Sequence, residues 1–159
     1  MYLDFVAYPD LGPTIRAFKT RIKSPSSASL ELTTIAPSIP FLSDDFVLCS
    51  LPFMPRKYLK DSIPRRTSTP LLTTLHSVTQ YLSLGNPKTT IVSITNVTNE
   101  QVAALRISRQ KLITDRAIRS GLITEWGENE WREHIFLLDW EAGLLAAGLL
   151  TRWSIVIRK

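Results

Sequence analysis

The chain has 159 residues, 44% of them hydrophobic and 21% charged, and its 19 lysines and arginines outnumber 14 acidic residues to give a net charge of +5. This length and composition predict one domain, residues 1–159, and exclude a wholly disordered chain. The single cysteine, Cys49, excludes an internal disulfide and fits a reducing compartment. The first residues carry no basic segment ahead of an apolar run, so we expect a protein that is not secreted.

The first third of the chain predicts mostly strands. An apolar segment at residues 3–7 predicts a short strand that ends at the turn-forming residues 9–13. Residues 15–23 alternate with a period of two, which predicts a strand with cations on one face; a solvated edge strand explains the same pattern. Alternation over residues 30–34 predicts another strand, and the mostly apolar residues 46–53 predict a strand buried on both faces.

The middle of the chain begins with a loop and a helix. Prolines keep most of residues 54–69 from regular structure, and this loop also holds the densest group of basic residues. Thr69 caps the helix that follows, and the turn at Gly85 ends it, because apolar residues recur at helical spacing between them. Residues 90–95 then have the composition of a strand.

A second helix follows that strand. Thr98 and Gln101 form a capping box, and we expect the helix to run to about Ser120 with Gly121 as its stop. Arginines fall on the same side of this helix as its aliphatic residues. Either these arginines extend their charged ends around a shallow contact or an interface, or the helix breaks near Ser108.

The last third combines acidic residues with all four tryptophans of the chain. The acidic stretch, residues 125–141, has the composition of a surface that could meet the basic surface of another copy, although tryptophans that fill a core explain the same residues. Residues 153–158 alternate and predict a closing strand. The elements together predict a single α+β domain, mainly an antiparallel sheet or sandwich, with two or three helices.

Basic residues form three clusters along the sequence. Because the fields of like charges add, a folded surface that carries these clusters would attract RNA or anionic lipid. The residues that we expect to bind RNA or lipid are Lys19, Arg21, Lys23, Arg56, Lys57, Lys60, Arg65, Arg66, Arg106 and Arg109.

The sequence offers little catalytic chemistry. It has two histidines, His76 and His134, and no recognised nucleophile motif surrounds Cys49. Glu130 and His134 are four residues apart, but two ligands do not make a zinc site. The glycines are scattered, without a phosphate-binding loop or a dinucleotide fingerprint. We therefore expect no catalytic residues, no metal and no cofactor.

One short motif points to a docking role. Tyr8, Pro9, Asp10 and Leu11 resemble the YPxL late-domain motif, by which viral structural proteins recruit the host membrane-scission machinery. An exposed N-terminal turn would suit a docking peptide, and a plain turn after a strand explains the same four residues.

Short segments in the middle of the chain follow one another in the order of a known family. They are Ile39–Ser43, Leu51-Pro52, Lys57–Asp61, Leu71–Leu75 with Ser77, Val78 and Tyr81, and Asn99–Gln101. In this order they resemble the matrix proteins of bornaviruses. The resemblance implies a protein that forms a layer under the envelope, binds anionic lipid, self-assembles and contacts RNA or nucleocapsid.

We therefore expect a non-enzymatic viral matrix-type protein, a homo-oligomer that binds anionic membrane, RNA or nucleocapsid through its basic clusters. The resemblance and the Tyr8–Leu11 motif imply a virion protein that uses the host budding machinery. It would lie in the host cytoplasm and peripherally on the inner face of the membrane. The alternative is a small RNA-binding accessory protein or nucleoprotein, whose RNA affinity would fall steeply with salt. A third hypothesis is an enzyme built around Cys49 or His134.

Overall fold

The computed structural model describes residues 10–50 and 74–159. These residues form six helices and three strands, and the helices outweigh the sheet. In chain order the elements are α1 (Leu11–Arg21), β1 (Ser27–Ile35), α2 (Asp44–Ser50), α3 (Leu75–Ser83), β2 (Thr90–Asn96), α4 (Thr98–Thr114), α5 (Arg116–Trp126), α6 (Glu128–Ala146) and β3 (Leu150–Arg158).

The three strands form one antiparallel sheet in the order β1-β3-β2. The last strand of the chain therefore lies in the centre, hydrogen-bonded to both of the others. Side chains of a strand alternate between the two faces, so the register assigns each residue to a face. The strands predicted at residues 30–34, 90–95 and 153–158 are confirmed.

One face of the sheet is apolar and packs against α1 and α3. Its fully buried residues include Leu30 and Leu32 of β1 and Ile155 and Ile157 of β3. The two helices and the residue that follows α1 contribute the rest of this core: Leu11, Ile15, Ile22, Val78 and Leu82. We call this side of the sheet the apolar face.

The other face receives α2, α4 and α6 over one half of its length. Leu150 at the start of β3 packs there with Cys49 of α2, Leu105 of α4 and Leu138 and Leu145 of α6. Short connections at Asp115 and Gly127 fold α4, α5 and α6 back on one another. The sheet thus lies between two helical layers of unequal extent.

The predicted fold class is confirmed in its coarse form, an α+β domain with an antiparallel sheet. The finer expectation of two or three helices is wrong, because the described residues contain six. Of the two alternatives, sheet or sandwich, the described residues form a single sheet of three strands. The excess arises from segments of mixed polarity that form helices packed on only one side. Among the described helices, none combines the length and the apolar character that crossing a membrane requires.

The predicted turn at residues 9–13 and the predicted strand at 15–23 are wrong, because α1 occupies Leu11–Arg21. Pro13 lies in the first turn of the helix, where backbone N–H groups have no partner within the helix, so its missing N–H is tolerated. The buried residues Leu11, Ile15 and Lys19 recur every four positions, which is the helical spacing.

The predicted strand at residues 46–53 is also wrong where the structure describes it. Residues 44–50 form α2, and the hydroxyl of Ser43 accepts a hydrogen bond from the Phe46 N–H at 3.2 Å. Asp44 and Asp45 then occupy the first turn, where acidic groups are favoured by the helix dipole. Local capping chemistry outweighs the apolar run.

The predicted helix over residues 98–120 is two helices, and the break lies at Asp115 rather than near Ser108. The carboxylate of Asp115 accepts hydrogen bonds from the N–H groups of Ala117 and Ile118 at 3.0 and 3.1 Å, which caps α5. Gly121, which was predicted to end the helix, lies inside α5.

The predicted capping box is wrong as well. Thr98 lies in the helix, and its hydroxyl donates to Asn96 Oδ1 at 2.6 Å and accepts from the Arg152 N–H at 3.0 Å. Thr74, not Thr69, caps α3 by accepting from the Ser77 N–H at 3.2 Å. The strand predicted at residues 3–7 and the loop at 54–69 lie outside the described residues.

Candidate ligand-binding site on the polar face of the sheet

The face of the sheet opposite the apolar face carries polar side chains in rows across the strands. Glu31, Ser154 and Thr95 are register partners and form one such row. Ser29, Val156 and Ser93 form the next row towards the end of β3. Both rows lie beyond the half that the helices cover; Ser29, Ser93 and Thr95 are exposed. We call these two rows the open polar face.

Arg152 marks the boundary between the open and the covered half. Its side chain is 2% exposed, and its guanidinium donates to Thr33 Oγ1 at 2.8 Å and to Glu31 Oε2 at 3.1 Å. A buried guanidinium is expensive unless its donors are satisfied, so this arrangement holds the neighbouring acceptors in place. Glu141 of α6 is also fully buried.

Glu31 therefore has a fixed position and an accessible side. One carboxylate oxygen binds Arg152, while 35% of the side chain remains exposed towards the open polar face. A carboxylate accepts hydrogen bonds on the lone pairs that the guanidinium leaves unused. This is the chemistry of an acceptor for hydroxyl or ammonium groups of a ligand.

The connection from β2 to α4 borders the same face. The side chain of Asn96 accepts from both the N–H and the hydroxyl of Thr98, at 3.0 and 2.6 Å. The Val97 N–H donates to the Arg152 carbonyl at 2.9 Å, which ties this turn to the central strand. The open polar face is thus bordered by a rigid turn that begins a helix.

The first predicted cluster of cations is divided by α1. Arg21 and Lys23 are exposed, whereas Lys19 is 2% exposed and its ammonium donates to the Leu84 carbonyl at 2.7 Å. Burial lowers the pKa of Lys19 from its ordinary 10.5. Their role in binding RNA or lipid stays a prediction.

The third predicted cluster lies on α4, and it meets the acidic stretch within the same chain. Arg106 is exposed, while Arg109 pairs with Asp139 of α6 at 2.5 Å. Arg119 lies over the ring of Trp131, 4.8 Å from its centroid. The tryptophans of this region pack between helices, as in the core interpretation.

The second cluster, Arg56, Lys57, Lys60, Arg65 and Arg66, lies outside the described residues, as do Tyr8 and Pro9. The remaining residues of the late-domain-like motif differ in exposure. Asp10 is exposed, but Leu11 is 1% exposed and belongs to the core on the apolar face. The motif as a docking element stays a prediction.

The two residues of the enzyme hypothesis, Cys49 and His134, both contact packed side chains of the fold. Cys49 is fully buried in the core beside the covered half of the sheet, and burial together with nearby Asp45 raises the pKa of its thiol. The ring of His134 meets that of Trp126 edge-on at 5.5 Å. Within the described ranges, no three histidine, cysteine, aspartate or glutamate side chains are grouped as a metal site would require.

The sequence analysis missed Glu31, Arg152 and the serine and threonine side chains beside them. Alternation in both strands does signal that Glu31 and Ser154 face away from the apolar residues. It does not signal that residues 31, 95 and 154 share one row, because that depends on the strand order.

No protein-family model matches the sequence, and no curated protein sequence matches it. Its fold is similar to solved structures of enzymes. The mycolic acid cyclopropane synthase CmaA1 complexed with SAH and CTAB has a TM-score of 0.69 and 12% identity over 99% of this chain and 52% of that one. The cyclopropane synthase MmaA2 from Mycobacterium tuberculosis has 0.63 and 12%, over 96% and 51%.

A third similar structure is phosphoethanolamine N-methyltransferase 2 of Haemonchus contortus, in complex with phosphomonomethylethanolamine and S-adenosylhomocysteine. Its TM-score is 0.63 at 10% identity, over 99% of this chain and 33% of that one. This chain therefore spans about half the length of the synthases and a third of the N-methyltransferase.

These similarities contradict the resemblance to bornavirus matrix proteins. They also contradict the predictions of a non-enzymatic structural protein and of a viral, virion or budding protein, since the similar folds are those of enzymes. The predicted partners and localisation stay predictions. At 10–12% identity the likeness is one of architecture, and the chain has a fold similar to that of cyclopropane synthases and a phosphoethanolamine N-methyltransferase.

Proposed function

We propose that this chain binds S-adenosylmethionine and takes part in methyl transfer. The observation that carries the proposal is the similarity of fold over 99% of the chain to two enzymes solved with S-adenosylhomocysteine bound. Because the chain spans half or less of those proteins, we propose the cofactor-binding role first and the complete reaction second.

The open polar face has a donor and acceptor set that fits this cofactor. S-adenosylmethionine presents two ribose hydroxyls and an α-ammonium group, all of which donate hydrogen bonds, and it has no phosphate. Glu31 supplies a carboxylate acceptor, and Ser29, Ser154 and Thr95 supply hydroxyls that donate or accept. Because S-adenosylmethionine carries no phosphate group, the lack of a phosphate-binding loop in the sequence does not exclude it.

The chain's own residues would act by binding and orientation. When bound, S-adenosylmethionine supplies an electrophilic methyl group on a sulfonium centre. Arg152 fixes the Glu31 carboxylate before any ligand arrives, which lowers the ordering cost of binding. The rigid turn at Asn96 and Thr98 would limit how the ligand lies along the sheet.

The acceptor of the methyl group belongs to the same proposal. The similar structures are named for mycolic acid and for phosphoethanolamine. We therefore propose a long-chain acid or an amine-bearing headgroup as the class of acceptor. Transfer of radiolabelled methyl from S-adenosylmethionine to each class is the direct assay.

Titration calorimetry with S-adenosylhomocysteine tests the cofactor-binding role. We expect saturable binding to the wild type and binding at least about tenfold weaker in Glu31→Gln, because a hydrogen bond to a charged group is lost. The amide oxygen still accepts from Arg152, so the variant should fold. Asp44→Asn, which neutralises an exposed carboxylate on α2, is the matched control and should bind as the wild type does.

The possible results of this experiment test the proposed function and the proposed position of the site separately. Failure of the folded wild type to bind S-adenosylhomocysteine contradicts the proposed function. Binding that Glu31→Gln leaves unchanged retains the function and places the site elsewhere. A melting curve for each variant shows whether a loss of binding comes from unfolding.

A further inference from the structure

The fold gathers cations from three separate segments at one end of the sheet. This is the end at which β1 and β2 begin and β3 finishes, since Arg158 is the register partner of both Ser27 and Thr90. Lys23 follows α1 just before β1, and Lys88 lies just before β2. The set, which we call the basic end, consists of Arg21, Lys23, Lys88, Arg158 and Lys159.

Hydrogen bonds hold these segments together. The Lys159 N–H donates to the Ser26 carbonyl at 3.2 Å, and its ammonium donates to the Ile22 carbonyl at 3.0 Å. The Lys19 ammonium joins α1 to the Leu84 carbonyl at 2.7 Å. The segments at residues 16–30, 84–93 and 153–159 contain no aspartate or glutamate, so their charges add without internal neutralisation.

An exposed leucine accompanies the cations. Leu84 is 68% exposed in the link between α3 and β2, although its backbone is fixed by Lys19. Tyr81, one turn earlier, is 45% exposed. Surfaces that bind membranes combine these features, because cations meet anionic headgroups while apolar groups enter the boundary of the acyl chains.

We propose that the basic end is a docking surface for an anionic membrane. The positive charge of this surface complements anionic headgroups. Leu84 favours a lipid surface over RNA, because an exposed aliphatic side chain can enter the acyl-chain boundary but makes no favourable contact with phosphates. This role goes beyond methyl transfer and does not require it. Only Arg21 and Lys23 come from the sequence-predicted binding set; the surface arises from contacts among distant segments.

Vesicle co-sedimentation tests the proposal. We expect the wild type to bind vesicles of phosphatidylcholine with phosphatidylserine, to release them at high salt and to ignore pure phosphatidylcholine. The triple variant Lys23→Gln, Lys88→Gln, Arg158→Gln should bind about a hundredfold more weakly, because each cation near the surface contributes about fivefold.

A charge-matched control separates this surface from net charge. Lys111→Gln, Arg116→Gln, Arg119→Gln removes the same charge from exposed positions on α4 and α5 and should bind within about threefold of the wild type. Leu84→Ser keeps every cation and should bind about fivefold more weakly, without a change in salt dependence.

Three results would overturn the proposal. One is wild-type binding that does not depend on phosphatidylserine, and another is an equal loss in the two triple variants. The third is binding of a single-stranded RNA oligonucleotide that the basic-end variant loses while vesicle binding is unchanged. Calorimetry with S-adenosylhomocysteine on the same samples shows whether the proposed function holds independently.

Discussion

The two faces of the central sheet differ in what they bury. On the apolar face, α1 and α3 cover aliphatic side chains that are wholly inaccessible, among them Leu30, Leu32, Ile155 and Ile157. On the opposite face the covered half buries Arg152 and Glu141, and the remaining half stays polar and partly exposed. One side is therefore a core, and the other passes from a core into a candidate binding surface.

Along β3, the residues that stabilise the core lie on one face and the residues of the candidate binding surface lie on the other. Every second residue of β3 contributes to the apolar core, while Arg152 and Ser154 between them face the polar side. Apolar burial stabilises the fold without regard to direction, whereas a buried guanidinium stabilises only one arrangement of its acceptors. Substitutions on the two faces should accordingly have distinct effects.

The largest expected effect is on the apolar face. Ile155→Ala removes a fully buried side chain from the central strand and should lower the free energy of unfolding by about 4 kcal/mol, through lost burial and a residual cavity. Its register partner Ile94 is 43% exposed, so Ile94→Ala should cost less than about 1 kcal/mol. Urea unfolding measures both, and equal losses would contradict the difference in burial between the central strand and the edge strand of this face.

The next effect is on the polar face. Arg152→Met removes the donor to Thr33 and Glu31 and should lower the free energy of unfolding by about 3 kcal/mol. It should also weaken S-adenosylhomocysteine binding, which Ile155→Ala should not do in the folded fraction. Arg158→Met, exposed on the same strand, should change stability by no more than about 0.5 kcal/mol. An Arg152 variant as stable as the wild type would show that the buried network is dispensable.

The smallest expected effects are changes in stability at alkaline pH, and they have opposite signs for a lysine on one side of the sheet and a cysteine on the other. Burial lowers the pKa of Lys19, so the unfolded chain binds more protons than the folded one, and stability from this group rises as the pH increases towards 10.5. Burial and Asp45 raise the pKa of the Cys49 thiol, so the folded chain keeps a proton that the unfolded chain loses, and stability falls above pH 9.0.

Two variants isolate these responses. Relative to Lys19→Met, the wild type should gain stability from neutral pH towards 10.5, and relative to Cys49→Ala it should lose stability above pH 9.0. Urea unfolding across this range provides the comparison, with exposed Lys111→Met as the flat control. A difference of the same sign for both variants would contradict the burial of one of the two groups.

Sequence patterns identified all three strands of the described sheet, but they also predicted strands where α1 and α2 lie. Alternating residues such as Leu30, Glu31 and Leu32 identified β1, because the period of two follows from strand geometry alone. The sequence analysis missed α1 because it assigned Gly12 and Pro13 to a turn, and residues that form turns also occupy the first turn of a helix. The sequence analysis also missed α6, because its buried residues form one side of a helix that carries acidic residues and tryptophans among them.

In β1 and β3 the sequence alone indicates which residues share a face, because side chains alternate along both strands. In β2 the register shifts between Ile91 and Ser93, and only the structure shows that Ile91 and Ile94 both lie on the apolar face. That Glu31, Ser154 and Thr95 form one row, and that Arg152 binds Glu31 beside it, follows from the tertiary structure. These residues meet because β3, the last strand, lies between the first two. The same order brings Lys23, Lys88 and Arg158 to one end of the sheet, since antiparallel pairing places the finish of β3 beside the beginnings of β1 and β2.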